Sequence, residues 1–264
     1  MSEGVIRIGV AGAMGRMGKV VAGLVREHPD LELAALFDRP DAAGQSVGAD
    51  VLTDAKGAVG LCQVIVDFST GAASAELARL AAGHGGVALV LGSTGMSQDE
   101  ERIVREASAR VAIVKSGNFS LGVNLLLGLV RQAAAALPAA DFDIEVFEAH
   151  HRRKIDAPSG TGLMLGRAAA EGRGVDLDKM SERGRDGITG ARAPGAIGFS
   201  VMRAGGIVGE HSVVFAAEDE IVTLSHSARD RSLFARGALA AARWAAGRPA
   251  GLYDMMDVLG MTAS

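Results

Sequence analysis

The 264-residue sequence contains one cysteine, Cys62, so no internal disulfide can form and a reducing compartment, the cytoplasm by default, is expected. Excess positive charge is also missing: 27 Lys and Arg stand against 31 Asp and Glu, a net charge of −4. No whole-chain basic field is there to hold nucleic acid, and any anionic ligand must be captured locally. Long uninterrupted apolar runs are absent too. The most apolar stretch, Leu121 to Leu137, carries Asn124, Arg131 and Gln132, which predicts a buried helix rather than a membrane span. Met1 to Gly4 lack a basic n-region and the strand-like run from Val5 begins too early for a signal peptide, so export by that route is not expected.

What is present is ordinary globular composition, 48% hydrophobic and 22% charged, in a chain long enough for two domains. Apolar runs at Val5 to Ala11, Leu31 to Asp38, Val64 to Ser69, Ala88 to Thr94 and Val111 to Ser116 alternate with helical patterns at Arg16 to Glu27, Ala72 to Ala82 and Gln98 to Ala109. Ser97 is placed as the N-cap of the last of these, with Glu100 as its capping-box partner. That βαβ rhythm predicts an α/β fold with a Rossmann-type parallel sheet covered on both faces. After Pro138 the style changes. Phe142 to His150, Ile197 to Arg203, Ile207 to Ala216 and Ile221 to Ala228 read as strands of an antiparallel or mixed sheet in a second α+β domain, with one open face of the kind that packs on another subunit. Gly172 to Gly198 reads as a long loop, Leu233 to Ala246 as an Ala-rich helix and Leu252 to Val258 as a short helix. The expected organisation is a dinucleotide-binding domain at 1–121 and 232–264, and a substrate-binding and oligomerisation domain at 122–231.

The run from Ile8 to Gly18 (IGVAGAMGRMG) sets a glycine-rich turn between a strand and a helix. Glycine permits the tight turn and lets backbone N–H groups approach a pyrophosphate at the positive end of the helix dipole. Met14 and Met17 occupy the second and third glycine positions of the strict G-x-G-x-x-G pattern. Asp38 follows a little over 20 residues on, where a carboxylate can hydrogen-bond a ribose diol, while Arg16 or Arg39 could accommodate a 2′-phosphate. Two further strand ends, Gly92-Ser93-Thr94-Gly95 and Ser116-Gly117-Asn118-Phe119, fall where an open α/β sheet binds its ligand.

The densest chemistry lies from Glu148 to Thr161 (EAHHRRKIDAPSGT). Two adjacent histidines at a strand end, a lysine three residues later and Ser-Gly-Thr opening a helix would focus positive potential, and the helix N–H donors, on a carboxylate. This segment resembles the 4-hydroxy-tetrahydrodipicolinate reductase (dihydrodipicolinate reductase) family. So do the Gly12 to Gly18 turn, Gly92 to Gly95, Asn118-Phe119-Ser120 with Gly122-Val123-Asn124, Arg203-Ala204-Gly205 with Gly209-Glu210-His211, and Gly251 to Leu259.

The resemblance implies NADH- or NADPH-dependent reduction of a cyclic dicarboxylate, with loss of water, to tetrahydrodipicolinate in lysine and diaminopimelate biosynthesis. It implies His150 as proton donor or acceptor and Lys154 as a second donor, with His151, Ser159, Gly160 and Thr161 binding substrate. Gly12, Ala13, Met14, Gly15, Arg16, Met17, Asp38, Arg39, Gly92, Ser93, Thr94, Ser116, Gly117, Asn118 and Phe119 would serve the cofactor. It further implies a homotetramer; no metal site is expected. Histidine, with an unperturbed pKa of ~6.5, can quench charge developing on the reduced substrate at neutral pH; spacing leaves open whether His150 or Lys154 delivers the proton. Arg231 could bind a substrate carboxylate, cross the domain interface or lie on the surface, and His211 is expected to serve structure. Covalent aldehyde oxidation, the rival chemistry, would need a thiolate, and Cys62 is far in sequence from the histidines.

Overall fold

A computed structural model describes residues 4–261; of the Met1 to Gly4 stretch expected to lack a signal peptide, Met1 to Glu3 lie outside them. The chain parts into two compact units, Met1–Leu121 with Ser232–Ser264, and Gly122–Arg231.

The first unit runs β1 (Ile6–Ala11), α1 (Arg16–Glu27), β2 (Leu31–Phe37), a small hairpin of β3 (Ser46–Val47) and β4 (Asp50–Val51), α2 (Ala55–Leu61), β5 (Val64–Asp67), α3 (Gly71–His84), β6 (Ala88–Leu91), α4 (Gln98–Ala107) and β7 (Ala112–Lys115). Apart from the antiparallel hairpin, the strands β1, β2, β5, β6 and β7 are parallel and short. Their apolar runs are continuous because both sheet faces are covered: Val64 and Val66 of β5 enter one core with Ile8, Val10 and Val90, while Ile65 enters the other with Leu89, Leu91 and Ile113. Helix α1 buries Gly18, Val21, Ala22 and Val25, a stripe at helical spacing. Helix α4 starts with the expected Ser97–Glu100 capping box.

The second unit begins within α5 (Leu121–Ala136) and continues through β8 (Asp143–His150), α6 (Gly160–Arg173), α7 (Leu177–Met180), β9 (Ser181–Glu182), β10 (Ile197–Arg203), β11 (Gly209–Ala216) and β12 (Ile221–Ala228). Its sheet order is β12-β11-β8-β10-β9. The sheet is mixed: β10 lies parallel to β8 and β9, and β11 antiparallel to β8 and β12. Helix α6 packs on β8, β10 and β11, and burial alternates residue by residue along β11, as a sheet covered on one face requires. The segment Gly172 to Gly198 is not all loop. Its Leu177–Met180 turn of helix is capped by Asp176, and Ser181–Glu182 extend the sheet by pairing with Ile197 and Gly198.

The chain then returns to the first unit as α8 (Ser232–Ala245), β13 (Gly251–Tyr253) and α9 (Met255–Leu259). The reading of Leu252 to Val258 as one helix is corrected: Gly251–Tyr253 pair parallel with Ala112–Val114 and form the sheet's edge strand, and Asp254 caps the helix that follows. The full order is β13-β7-β6-β5-β1-β2. Alanines 235, 238, 241, 242 and 245 of α8 are buried, so the helix lies close against α1 and the sheet. Among the described residues no helix is long and apolar enough to cross a membrane.

Candidate active site

In the first unit, β1 leads to β2 on one side and the chain then crosses to β5 on the other, so the order reverses between β1 and β5. Ligands of open α/β sheets bind at such a switch point, beyond the carboxyl ends of the strands. Gly12 turns there with φ +69°, and a Cβ on it would lie 3.3 Å from the Phe68 carbonyl oxygen. A Cβ on Gly18 would come 2.1 Å from the Gly12 oxygen, so glycine at 18 lets the helix close down on the turn. The strict-motif comparison, centred on Met14 and Met17, passes over this contact.

The turn has room and donors for an anion. Helices α2, α3, α4 and α6 each accept an N-terminal N–H on a capping side chain, from Asp54, Thr70, Ser97 and Ser159. Helix α1 starts at Gly15 with no side-chain cap and no acidic residue in its first turn. A pyrophosphate fits the uncapped N–H groups and the positive helix end. Asp38, just past β2, accepts N–H bonds from Met14 (2.9 Å) and Arg39 (2.9 Å), one on each oxygen, so lone pairs remain for a ribose diol. The exposed Arg39 side chain pairs with Asp41 at 2.9 Å. Beside them a cleft of about 350 Å³ is lined by Phe37, Asp38, Arg39, Ser69, Thr70 and Leu77, among others, largely apolar walls with polar groups at the rim, as a nucleoside requires.

The remaining predicted cofactor residues separate into exposed and buried. Ala13 is buried, whereas Met14, Gly15, Arg16, Thr94 and Gly117 are exposed and Met17, Gly92 and Ser116 half-buried. Ser93 is buried, and its hydroxyl lies 2.7 Å from that of Ser74, which donates at 2.5 Å to the fully buried Asp67. Burial pushes the Asp67 carboxyl up, against the hydrogen bonds from Ser69 and Ser74. That network fixes the loops after β5 and β6 to each other, and sequence reading missed Asp67. Asn118 is buried; Ser116 Oγ donates to its carbonyl and accepts its N–H. Phe119 is 1% exposed and packs edge-on against Phe68, so its side chain belongs to the core.

In the second unit, strand alternation sets Ile144, Val146, Glu148 and His150 on one face of β8. The first two are apolar core, and Glu148 continues the phase, 0% exposed. Register puts His211 of β11 opposite Glu148 and Arg203 of β10 opposite His150. Arg203 grips both carboxylate oxygens of Glu148, at 2.7 and 2.8 Å, the Ser159 N–H donates to it at 2.8 Å, and His150 Nδ1 lies 2.6 Å away. Burial pushes the Glu148 carboxyl up, but the bonds from Arg203, His150 and Ser159 outweigh it and hold it below the usual carboxylate range.

The segment after β8 carries the other predicted residues. Lys154 pairs with Asp156 at 2.8 Å, whose carbonyl also accepts from Arg203. A cis Ala157–Pro158 peptide leads to Ser159, whose Oγ caps α6 through Gly162 N–H at 3.1 Å and lies 3.4 Å from His211 Nε2. Gly160 is exposed and Thr161 half-buried, both in the first turn of α6. Arg231 Nη2 stands 3.3 Å from His151 Nε2; a guanidinium only donates, so that nitrogen accepts and the ring is neutral. Burial and then the charges of Arg153, Arg231, His150 and Lys154 keep the His151 pKa low. His211, predicted as structural, is 5% exposed, stacks edge-on to His150 at 5.0 Å, and is pushed down to about 4 by burial and then by His150. Cys62 is buried and pushed up to about 11, chiefly by desolvation against the pull of Arg7, which removes it as a nucleophile.

A glycine turn at the switch point of a parallel sheet marks a Rossmann-type dinucleotide-binding unit, and the second unit adds an imidazole–carboxylate centre. Residues 6–119 match the family described as "Dihydrodipicolinate reductase, N-terminus" and residues 122–259 that described as "Dihydrodipicolinate reductase, C-terminus". The chain is 59% identical to the 4-hydroxy-tetrahydrodipicolinate reductase of Caulobacter vibrioides, covering 97% of each chain, and 49% identical to that of Rhizobium rhizogenes, covering 99% of each. It also shares a fold with a dipicolinate-bound dihydrodipicolinate reductase from a Paenisporosarcina species, with TM-score 0.79, 24% identity, and 96% and 98% coverage of the two chains. The chain belongs to the dihydrodipicolinate reductase family.

Proposed function

We propose that this chain reduces 4-hydroxy-tetrahydrodipicolinate to tetrahydrodipicolinate with NADH or NADPH, a step of lysine and diaminopimelate biosynthesis that also releases water. The observation that carries the reading is the His150–Glu148–Arg203 cluster, beside Lys154 and the first turn of α6, inside the residues matched by the C-terminal half of the family.

When bound, the reduced nicotinamide supplies the hydride. The turn from Gly12 to Met17 holds the pyrophosphate on the N–H groups of α1, and Asp38 takes the ribose diol; Arg39 must share or leave Asp41 to meet a 2′-phosphate. In the second unit, Lys154, Arg231 and the N–H groups of Gly160 and Thr161 supply positive potential for two carboxylates, with the neutral His151 ring as a hydrogen-bonding neighbour. Lys154 exchanges Asp156 for substrate. His150 or Lys154 then delivers the proton that quenches the charge left by hydride addition, and the buried Glu148 carboxylate holds the His150 ring in place.

The first unit is assigned to the dinucleotide and the second to substrate and assembly. The open face of the β12-β11-β8-β10-β9 sheet is the surface assigned to a homotetramer in the cytoplasm, supported by the alternating burial of β11. The reaction is tested by a steady-state assay with enzymatically generated substrate, run in parallel with NADH and NADPH. Substrate-dependent oxidation of at least one cofactor is expected; oxidation of neither overturns the assignment.

A further inference from the structure

A fully buried carboxylate is expensive unless every lone pair is engaged, and Glu148 meets that demand with four donors. Oε1 accepts Ser159 N–H and Arg203 Nη2, and Oε2 accepts Arg203 Nη1 and faces His150 Nδ1. A carboxylate held ionised by Arg203 cannot donate, so His150 Nδ1 must carry the hydrogen. The tautomer of His150 is therefore set by Glu148, and Nε2 is left as its working nitrogen. Gly209 leaves space at that atom, since a Cβ there would lie 3.3 Å from Nε2.

The charged and titratable groups around His150 are few. His211 faces it from β11 and Arg203 from β10, with His151, Lys154 and Asp156 in the following segment. His211 is too depressed in pKa to compete for a proton near neutrality. Among these groups, Glu148 alone accepts a hydrogen bond from the ring, and through Ser159 the same carboxylate pins the start of α6.

We propose that Glu148 is the positioning residue of the reaction: with Arg203 as its fixed counter-charge, it locks His150 as the Nδ1–H tautomer with Nε2 presented to substrate, and ties that ring to the substrate-binding start of α6. The inference rests on the assignment of His150 above and deepens it.

Glu148→Gln keeps the side-chain length and a carbonyl for Ser159 N–H but spoils the four-donor arrangement. The expected result is a fall in kcat of ~10² or more, with the KM for dinucleotide unchanged. In a His150→Gln background the same change is expected to cost nothing further, because Glu148 acts through that ring; a merely structural carboxylate would lower both backgrounds alike. The ¹⁵N spectrum of histidine-labelled wild-type enzyme, which needs no variant to fold, is expected to show His150 protonated on Nδ1 in its neutral form. An Nε2–H tautomer in the wild type, or full activity in Glu148→Gln, overturns the proposal. Full activity in His150→Gln would instead overturn the assignment on which it rests.

Discussion

The turn after β1 and the cluster at the end of β8 are built of different materials. The first is backbone: Gly12 at positive φ, an uncapped helix start, and Gly18 so close to the Gly12 oxygen that no side chain fits. The second is side chain: a buried carboxylate, a guanidinium and two imidazoles drawn from three strands. A backbone site constrains what must be missing, so its flanking side chains can vary, as Met14 and Met17 do in the glycine pattern. A side-chain site constrains functional groups, because each buried polar atom depends on a particular partner.

That contrast can be broken from either side. The largest expected effect is on Lys154: Lys154→Ala should lower turnover by ~10² or more, the size of a general-acid contribution, while dinucleotide titration followed by fluorescence stays at the wild-type affinity. Gly18→Ala should do the reverse. Forcing a Cβ against the Gly12 oxygen is overpacking worth about 1–3 kcal/mol, and it should weaken dinucleotide binding ~10-fold or more with substrate-analogue binding retained, as read by calorimetry.

The side-chain cluster should also make stability sensitive to acid. His211 stays neutral in the folded chain down to about pH 4, whereas in the unfolded chain it takes a proton near the ordinary histidine value of 6.5. Protons therefore favour the unfolded state as pH falls through that window, and up to about 3 kcal/mol is lost. Glu148, lowered on folding, adds a loss of the same sign at lower pH. Thermal melting from pH 7 to 4 should show this decline, and His211→Asn should flatten its upper part; an unchanged slope would remove His211 from the account. The smallest effect is expected at Asp38, where Asp38→Ala should weaken NADH several-fold more than NADPH; equal changes would take Asp38 off the ribose.

The same contrast explains what could be read from sequence. The parallel sheet was legible because doubly covered strands are continuous Val, Ile and Leu runs, and α4 because its capping box is local. Strand β13 was not, since three residues between Gly251 and Tyr253 have no period of their own and merge with the helix after them. Ser181 and Glu182 become strand only through pairing with Ile197 and Gly198. His150 and Lys154 were visible by residue type. Glu148 and Arg203 stand 55 positions apart, and a glutamate ordinarily reads as solvated. The available signal was phase: Glu148 takes the inward position that Ile144 and Val146 occupy before it, and a charge there demands a buried partner.

The most direct measurement is single-turnover oxidation of bound NADH on addition of substrate, comparing wild-type and His150→Gln enzyme loaded with equal cofactor. Wild-type enzyme should oxidise its NADH stoichiometrically, and the variant should hold the cofactor as tightly yet react ~10² times more slowly or worse. Equal rates in the two would contradict a part for His150 in the reaction.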